Sequence, residues 1–203
     1  MNGLECAIEN GWLVGARRSP SEHADERPSD AAIELVILHG ISLPPGEFGG
    51  PWIEDFFTGR LDYLAHPFFE EIRDLRVAPH LFVRRDGEIV QFVAFGRRAW
   101  HAGRSSWRGR EACNDFSIGI ELEGADDIPY TDAQYAALVR ILPALRKAWP
   151  ALGEEGIVAH SDVAPGRKND PGPAFDWVRL AAALAGAGYN FRRSQSRREG
   201  SGT

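Results

Sequence analysis

The chain has 203 residues, 43% of them apolar and 26% charged, with a formal net charge of −6. That length suits one domain with short tails, and that balance suits a packed core. The acidic total argues against a nucleic-acid binder, and no apolar run is long enough for a membrane-spanning helix.

Residues 1–30 are polar, broken by Pro20 and Pro28, and predict an irregular lead-in. The stretch Met1 to Ser19 carries Glu5, Glu9, Arg17 and Arg18 without a continuous apolar core, so no secretory leader is expected and the setting reads as cytoplasmic. Cys6 and Cys113 are far apart and lack metal-binding spacing, which predicts two free thiols in a reducing compartment. The run Ile33 to Leu38 is apolar except for Glu34 and predicts a buried strand ended by His39.

A long loop follows through Pro44, Pro45, Gly46, Gly49, Gly50 and Pro51, with short helices expected at 51–58 and 67–74. His80 to Arg85 and Glu88 to Val93 flank Asp86-Gly87, which predicts a hairpin closed by a tight primed turn. Residues 99–115 read as loop. Ser117 to Glu123 alternates, with Ile118, Ile120 and Leu122 on an oily face and Ser117, Gly119, Glu121 and Glu123 on a polar one.

Thr131 with Gln134 predicts a capping box opening a helix toward Trp149, kinked or split by Pro143. A short strand is expected at Ile157 to His160 and a last helix at Ala174 to Ala187. The segment 191–203 is rich in Arg, Ser and Gly and predicts a disordered tail behind a single domain over 1–190. Interspersed strands and helices give the α/β (α+β) class, a central mixed sheet flanked by helices.

Six histidines occur, and His39 and His160 each stand where a short apolar strand meets a loop. Asp170 follows His160 by ten residues, a loop length that can return its carboxylate to the imidazole. Two His and one carboxylate form a zinc set that leaves a fourth position open. The same pattern equally fits a hydrogen-bonded strand-end histidine and a turn-forming Asp before Pro171. Glu121 on the polar face of its strand is either a general base or a solvated carboxylate shared with Glu123. Lys168 is either an oxyanion partner or a surface lysine. Trp100 and His101 offer an aromatic face beside polar groups, suited to a sugar or peptide. Arg76, Arg84 and Arg85 could meet carboxylates, although exposure is the simpler expectation for the last two. His80, alternating with Phe82, reads as a satisfied core histidine. No phosphate loop and no Gly-x-Ser-x-Gly elbow occurs.

Read in order, several long segments resemble one family. They are His39-Gly40-Ile41-Ser42-Leu43-Pro44-Pro45-Gly46, Arg84 to Gln91, Arg98 to Gly103, Cys113 to Gly124, and Ala159-His160 followed by Ala164 to Pro173. Together they resemble the zinc amidase and peptidoglycan-recognition family over roughly residues 10 to 185, and within it the cytosolic anhydromuramyl-L-alanine amidases. The resemblance implies zinc held by His39, His160 and Asp170, catalysis by Glu121 and Lys168, and substrate contacts from Arg76, Trp100, His101 and Asn114. It implies hydrolysis of the amide between the lactyl group of 1,6-anhydro-N-acetylmuramic acid and L-alanine. The partner would be an anhydromuropeptide in cell-wall recycling, with the enzyme a cytoplasmic monomer. The rival readings are a recognition module of the same fold that does not cut, and an amidase of intact peptidoglycan. Gly40 stands where many members carry Asn, and Ala112 where some carry a basic residue.

Overall fold

The computed structural model describes residues 6–193. Its centre is a six-stranded sheet made of β1 (Arg17–Arg18), β2 (Leu35–Ile41), β3 (Leu81–Val83), β4 (Ile89–Gln91), β5 (Ser117–Glu123) and β6 (Ile157–Ala159), in the order β6-β2-β5-β3-β4-β1. The β3–β4 pair is antiparallel and the other pairs are parallel, so the sheet is mixed. The two longest strands, β2 and β5, lie side by side in the middle, as expected for strands buried on both faces.

Alternation along these strands divides the core. Val36 and Leu38 of β2 and Ile118, Ile120 and Leu122 of β5 join one apolar cluster with Leu138, Ile141, Leu142 and Leu145 of α3 (Asp132–Ala148). The helix α5 (Trp177–Gly186) adds Leu180 and Leu184 to the same cluster. Each fully buried aliphatic side chain here contributes about 1.5–3 kcal/mol. On the opposite face, Leu35 and Ile37 join Ala102, Phe116, Val158 and Val163. Beside them Phe82 and Val90 pack with Phe56, Phe57 and Phe69, which come from or adjoin α1 (Trp52–Phe57) and α2 (Pro67–Glu71). His39 and Glu121 occupy that second face.

Most expected elements are present, with instructive differences. β2 runs through His39 to Ile41, because its parallel partner β5 pairs Glu121 with His39 and Glu123 with Ile41. β6 stops at Ala159, and His160 opens the short helix α4 (His160–Val163). The hairpin closes differently from a two-residue primed turn. Arg84 N–H donates to Glu88 O and Gly87 N–H donates to Arg84 O, so only Gly87 takes a positive φ, 88°. The Thr131–Gln134 capping box forms, and α3 continues through Pro143 as one helix. The last helix starts later than expected, at Trp177, where the Asp176 side chain accepts from Arg179 N–H. The segment 99–115 holds two-residue strands at 106–107 and 110–111 and a 3-10 turn at Cys113–Phe116. Of the expected tail, residues 194–203 lie outside the described residues. Among the described residues, no helix is long and apolar enough to cross a membrane.

Candidate metal centre

His39, His160 and Asp170 meet on the second face of the sheet, their ligand atoms all within 4.8 Å of one another. His39 Nδ1 lies 2.9 Å from His160 Nδ1 and 3.3 Å from Asp170 Oδ2, and His160 Nδ1 lies 2.9 Å from the same oxygen. Donors held ~2.0–2.1 Å from a tetrahedral zinc stand roughly 3.3 Å apart, so the set fits such an ion within a few tenths of an ångström. The local folding explains the meeting. β2 carries a buried His39 in its C-terminal half, α4 starts on His160, and the loop to Asp170 folds back so that Ser161 N–H donates to Asp170 O. Tyr130 closes this loop from below: its hydroxyl donates to Pro171 O at 2.9 Å. Tyr130 rests against Gly40, where any Cβ would overlap its hydroxyl.

The electrostatics are those of a buried site. Burial, and then the neighbouring His160, push His39 down to about 4. Burial alone would raise Asp170, but hydrogen bonds to His160 and His39 overcome it and hold the carboxyl well below its ordinary value. Glu121 sits beside His39 in register, its Oε1 3.9 Å from His39 Nδ1. Burial first, and the charge of Asp170 second, push its pKa well above the ordinary value. Its Oε2 is buried without a hydrogen-bond partner. A carboxylate oxygen left bare in a protein interior is costly and marks a position where something else is received.

His160, Asp170 and Glu121 line a cleft of ≈ 410 Å³ together with apolar side chains, Leu43, Phe56, Phe68 and Ile72 among them. Lys168 and Arg167 supply positive charge on the cleft. The structure therefore brings together His39, His160, Asp170, Glu121, Lys168 and His101. It leaves Arg76 exposed, with its guanidinium donating to Arg73 O and Leu75 O. Trp100 stacks on His23. Asn114 is turned inward, and its Oδ1 accepts from the backbone N–H groups of His101 and Ala102. None of Arg76, Trp100 and Asn114 is among the cleft-lining residues.

Several polar residues have tasks that sequence patterning missed. Glu123 is buried rather than solvated, accepting from Gly49 N–H and Arg85 N–H. Arg84 and Arg85 are half-buried, donating to Gly50 O and Pro129 O. Arg167 donates to Ala102 O and Arg104 O. Gly119 within β5 and Gly124 just past it signal other contacts, since glycine in a strand marks close approach by another group: the His101 ring at Gly119 and Tyr130 at Gly124.

Known proteins resemble this chain along most of its length. The Amidase_2 family, N-acetylmuramoyl-L-alanine amidase, matches residues 29–173. The 1,6-anhydro-N-acetylmuramyl-L-alanine amidase AmpD of Escherichia coli K12 is 60% identical over 178 residues, which is 88% of this chain and 97% of that one. A crystal structure of a selenomethionine AmpD derivative superposes with a TM-score of 0.85 at 56% identity, covering 87% of this chain and 98% of that one. The E. coli amidase AmiD, in complex with the substrate anhydro-N-acetylmuramic acid-L-Ala-D-γ-Glu-L-Lys, aligns with a TM-score of 0.56 at 26% identity, covering 89% of this chain and 66% of that one.

Proposed function

The chain belongs to the N-acetylmuramoyl-L-alanine amidase family, and on that footing we propose that it hydrolyses the amide between the lactyl group of 1,6-anhydro-N-acetylmuramic acid and L-alanine. The observation that carries this reading is the convergence of His39, His160 and Asp170 beside the unpartnered Glu121 at one cleft. Zinc is the ion assigned to the three ligands, and bound zinc supplies Lewis acidity, polarising a carbonyl and lowering the pKa of water.

The remaining steps belong to the chain's own residues. Glu121 takes the proton of the attacking water on its bare carboxylate oxygen. Its raised pKa makes it a better acceptor than an ordinary surface carboxylate. The negative charge that develops on the scissile carbonyl oxygen faces Lys168, whose ammonium offsets it. Glu121 then passes the proton to the departing alanine nitrogen, which leaves as an amine. The apolar side chains of the cleft limit water around these charges and strengthen each interaction.

The free thiols Cys6 and Cys113 suit a reducing cytosol, where soluble recycled muropeptides are the substrate. The test is a pair of measurements on purified protein: elemental metal content, and release of L-alanyl peptide from anhydromuropeptide before and after chelation. About one zinc per chain, with activity lost to chelator and regained with zinc, is expected. A metal-free protein that binds muropeptide without cutting it would make this a recognition module. Cleavage of whole sacculi in preference to anhydromuropeptide would move the substrate to intact peptidoglycan.

A further inference from the structure

The two histidines of the centre are each held from behind, and both holds come from consecutive residues of one segment. His39 Nε2 faces His101 Nδ1 at 2.9 Å, and His160 Nε2 faces Ala102 O at 3.1 Å. A carbonyl only accepts, so His160 carries its proton on Nε2 and leaves the Nδ1 lone pair toward the centre. His101 does the same for His39. Its own Nε2 lies 3.3 Å from Ser117 Oγ, so a proton there leaves His101 Nδ1 free to accept from His39 Nε2–H.

The segment is anchored in turn. Asn114 Oδ1 accepts His101 N–H at 3.2 Å and Ala102 N–H at 2.8 Å, tying the segment to the turn that leads into β5. The His101 ring lies over Gly119 of β5, where any Cβ would overlap ring atoms. His101 is buried, so the contact is largely shielded from solvent.

We propose that His101 and Ala102, pinned by Asn114 and seated on Gly119, are positioning residues that fix the tautomer and aim of both metal-binding histidines. His101 and Asn114 thus act through the metal ligands. This inference rests on the reading that His39, His160 and Asp170 hold zinc. Partners of this kind typically account for 10–100-fold in metal affinity, so roughly that range is the expected loss here.

The test titrates zinc into metal-free full-length protein against a chromophoric chelator. It also records the visible spectrum of the cobalt-loaded protein and the melting temperature of the metal-free protein. His101→Ala, Asn114→Ala and Gly119→Ala are each expected to weaken zinc binding by about 10–100-fold. The cobalt spectrum is expected to change. Metal-free melting is expected to fall too, because Asn114→Ala strands two backbone N–H groups and Gly119→Ala crowds the His101 ring, so affinity and spectrum are read at a temperature where each variant is folded. His101→Gln retains an acceptor for His39 Nε2–H and is expected to recover part of the affinity. In the double variant His101→Ala/Gly119→Ala the new methyl meets no ring, so it is expected to bind zinc no worse than His101→Ala alone. Wild-type zinc affinity and an unaltered cobalt spectrum in His101→Gln, Asn114→Ala and Gly119→Ala would overturn the proposal, as would additive losses in the double variant. Failure of the wild-type protein itself to bind zinc would instead overturn the metal reading beneath it.

Discussion

Strand β5 shows two different economies on its two faces. On one side Ile118, Ile120 and Leu122 are fully buried against the helices α3 and α5. They act by volume and apolar area, in one large shared cluster. On the other side each residue has a separate task. Ser117 meets His101, Gly119 leaves room for its ring, Glu121 stands beside His39, and Glu123 ties down two loops. The contrast sharpens between the two carboxylates of that face. Both oxygens of Glu123 accept backbone N–H groups, whereas Oε2 of Glu121 accepts nothing. Two glutamates two residues apart thus separate into one that holds structure and one free to move a proton.

The largest expected effect falls on Glu121. Glu121→Gln removes the proton acceptor without removing volume, and turnover of anhydromuropeptide is expected to drop by ~10²–10⁴-fold. On the opposite face Ile120→Ala leaves a cavity and is expected to cost about 2–5 kcal/mol of stability, read from the denaturant midpoint. Its turnover, measured well below the melting temperature, is expected to stay close to wild type. A large loss of turnover there would break the division between the faces. Glu123→Gln keeps one acceptor oxygen and strands a backbone N–H, at an expected cost of about 1–3 kcal/mol. It should also hasten proteolysis of the 42–50 loop that Gly49 belongs to.

The last effect concerns pH. Burial, and then the charge of Arg27, push His80 from its ordinary 6.5 down to about 3. Its Nδ1 accepts Gly119 N–H, a bond that needs the neutral ring. The unfolded chain takes up this proton below pH 6.5 while the folded chain resists until about pH 3. Stability from this group is therefore full above pH 6.5 and is lost as pH falls toward 3. His39 in the metal-free protein contributes with the same sign. Denaturation midpoints measured from pH 7 to pH 4 are expected to fall more steeply for wild type than for His80→Gln. Parallel curves would show that His80 is not held neutral.

The sequence carried the frame of the molecule well because apolar periodicity is local. The runs 33–38 and 117–123, the Thr131 cap and the amphipathic helix behind it all rest on neighbours in the chain. The strand ends nearest the candidate site were misplaced because of what each meets there. β2 extends past His39 because β5 pairs with it, and β6 stops short because His160 starts a helix. The candidate metal set, His39, His160 and Asp170, was legible as a pattern of residue types, but only as one of two readings until family likeness was added. The least legible parts were polar groups that turn inward. Asn114 and His101 look like surface residues of a Trp- and Gly-rich loop, yet they bond the loop and the histidine behind the centre. Glu123 looks solvated on an alternating strand, yet the loops above bury it. Partners 12 to 74 residues away decide these cases, and no local pattern encodes them.

The central claim is that Glu121 moves the proton and Glu123 does not, and one side-by-side measurement addresses it. Zinc content and the rate of L-alanyl peptide release are recorded for wild type, Glu121→Gln and Glu123→Gln at a temperature where all three are folded. The expected result is full zinc loading in each, near-normal turnover for Glu123→Gln, and a loss of ~10²–10⁴-fold for Glu121→Gln alone. Near-normal turnover by zinc-loaded Glu121→Gln would contradict the account.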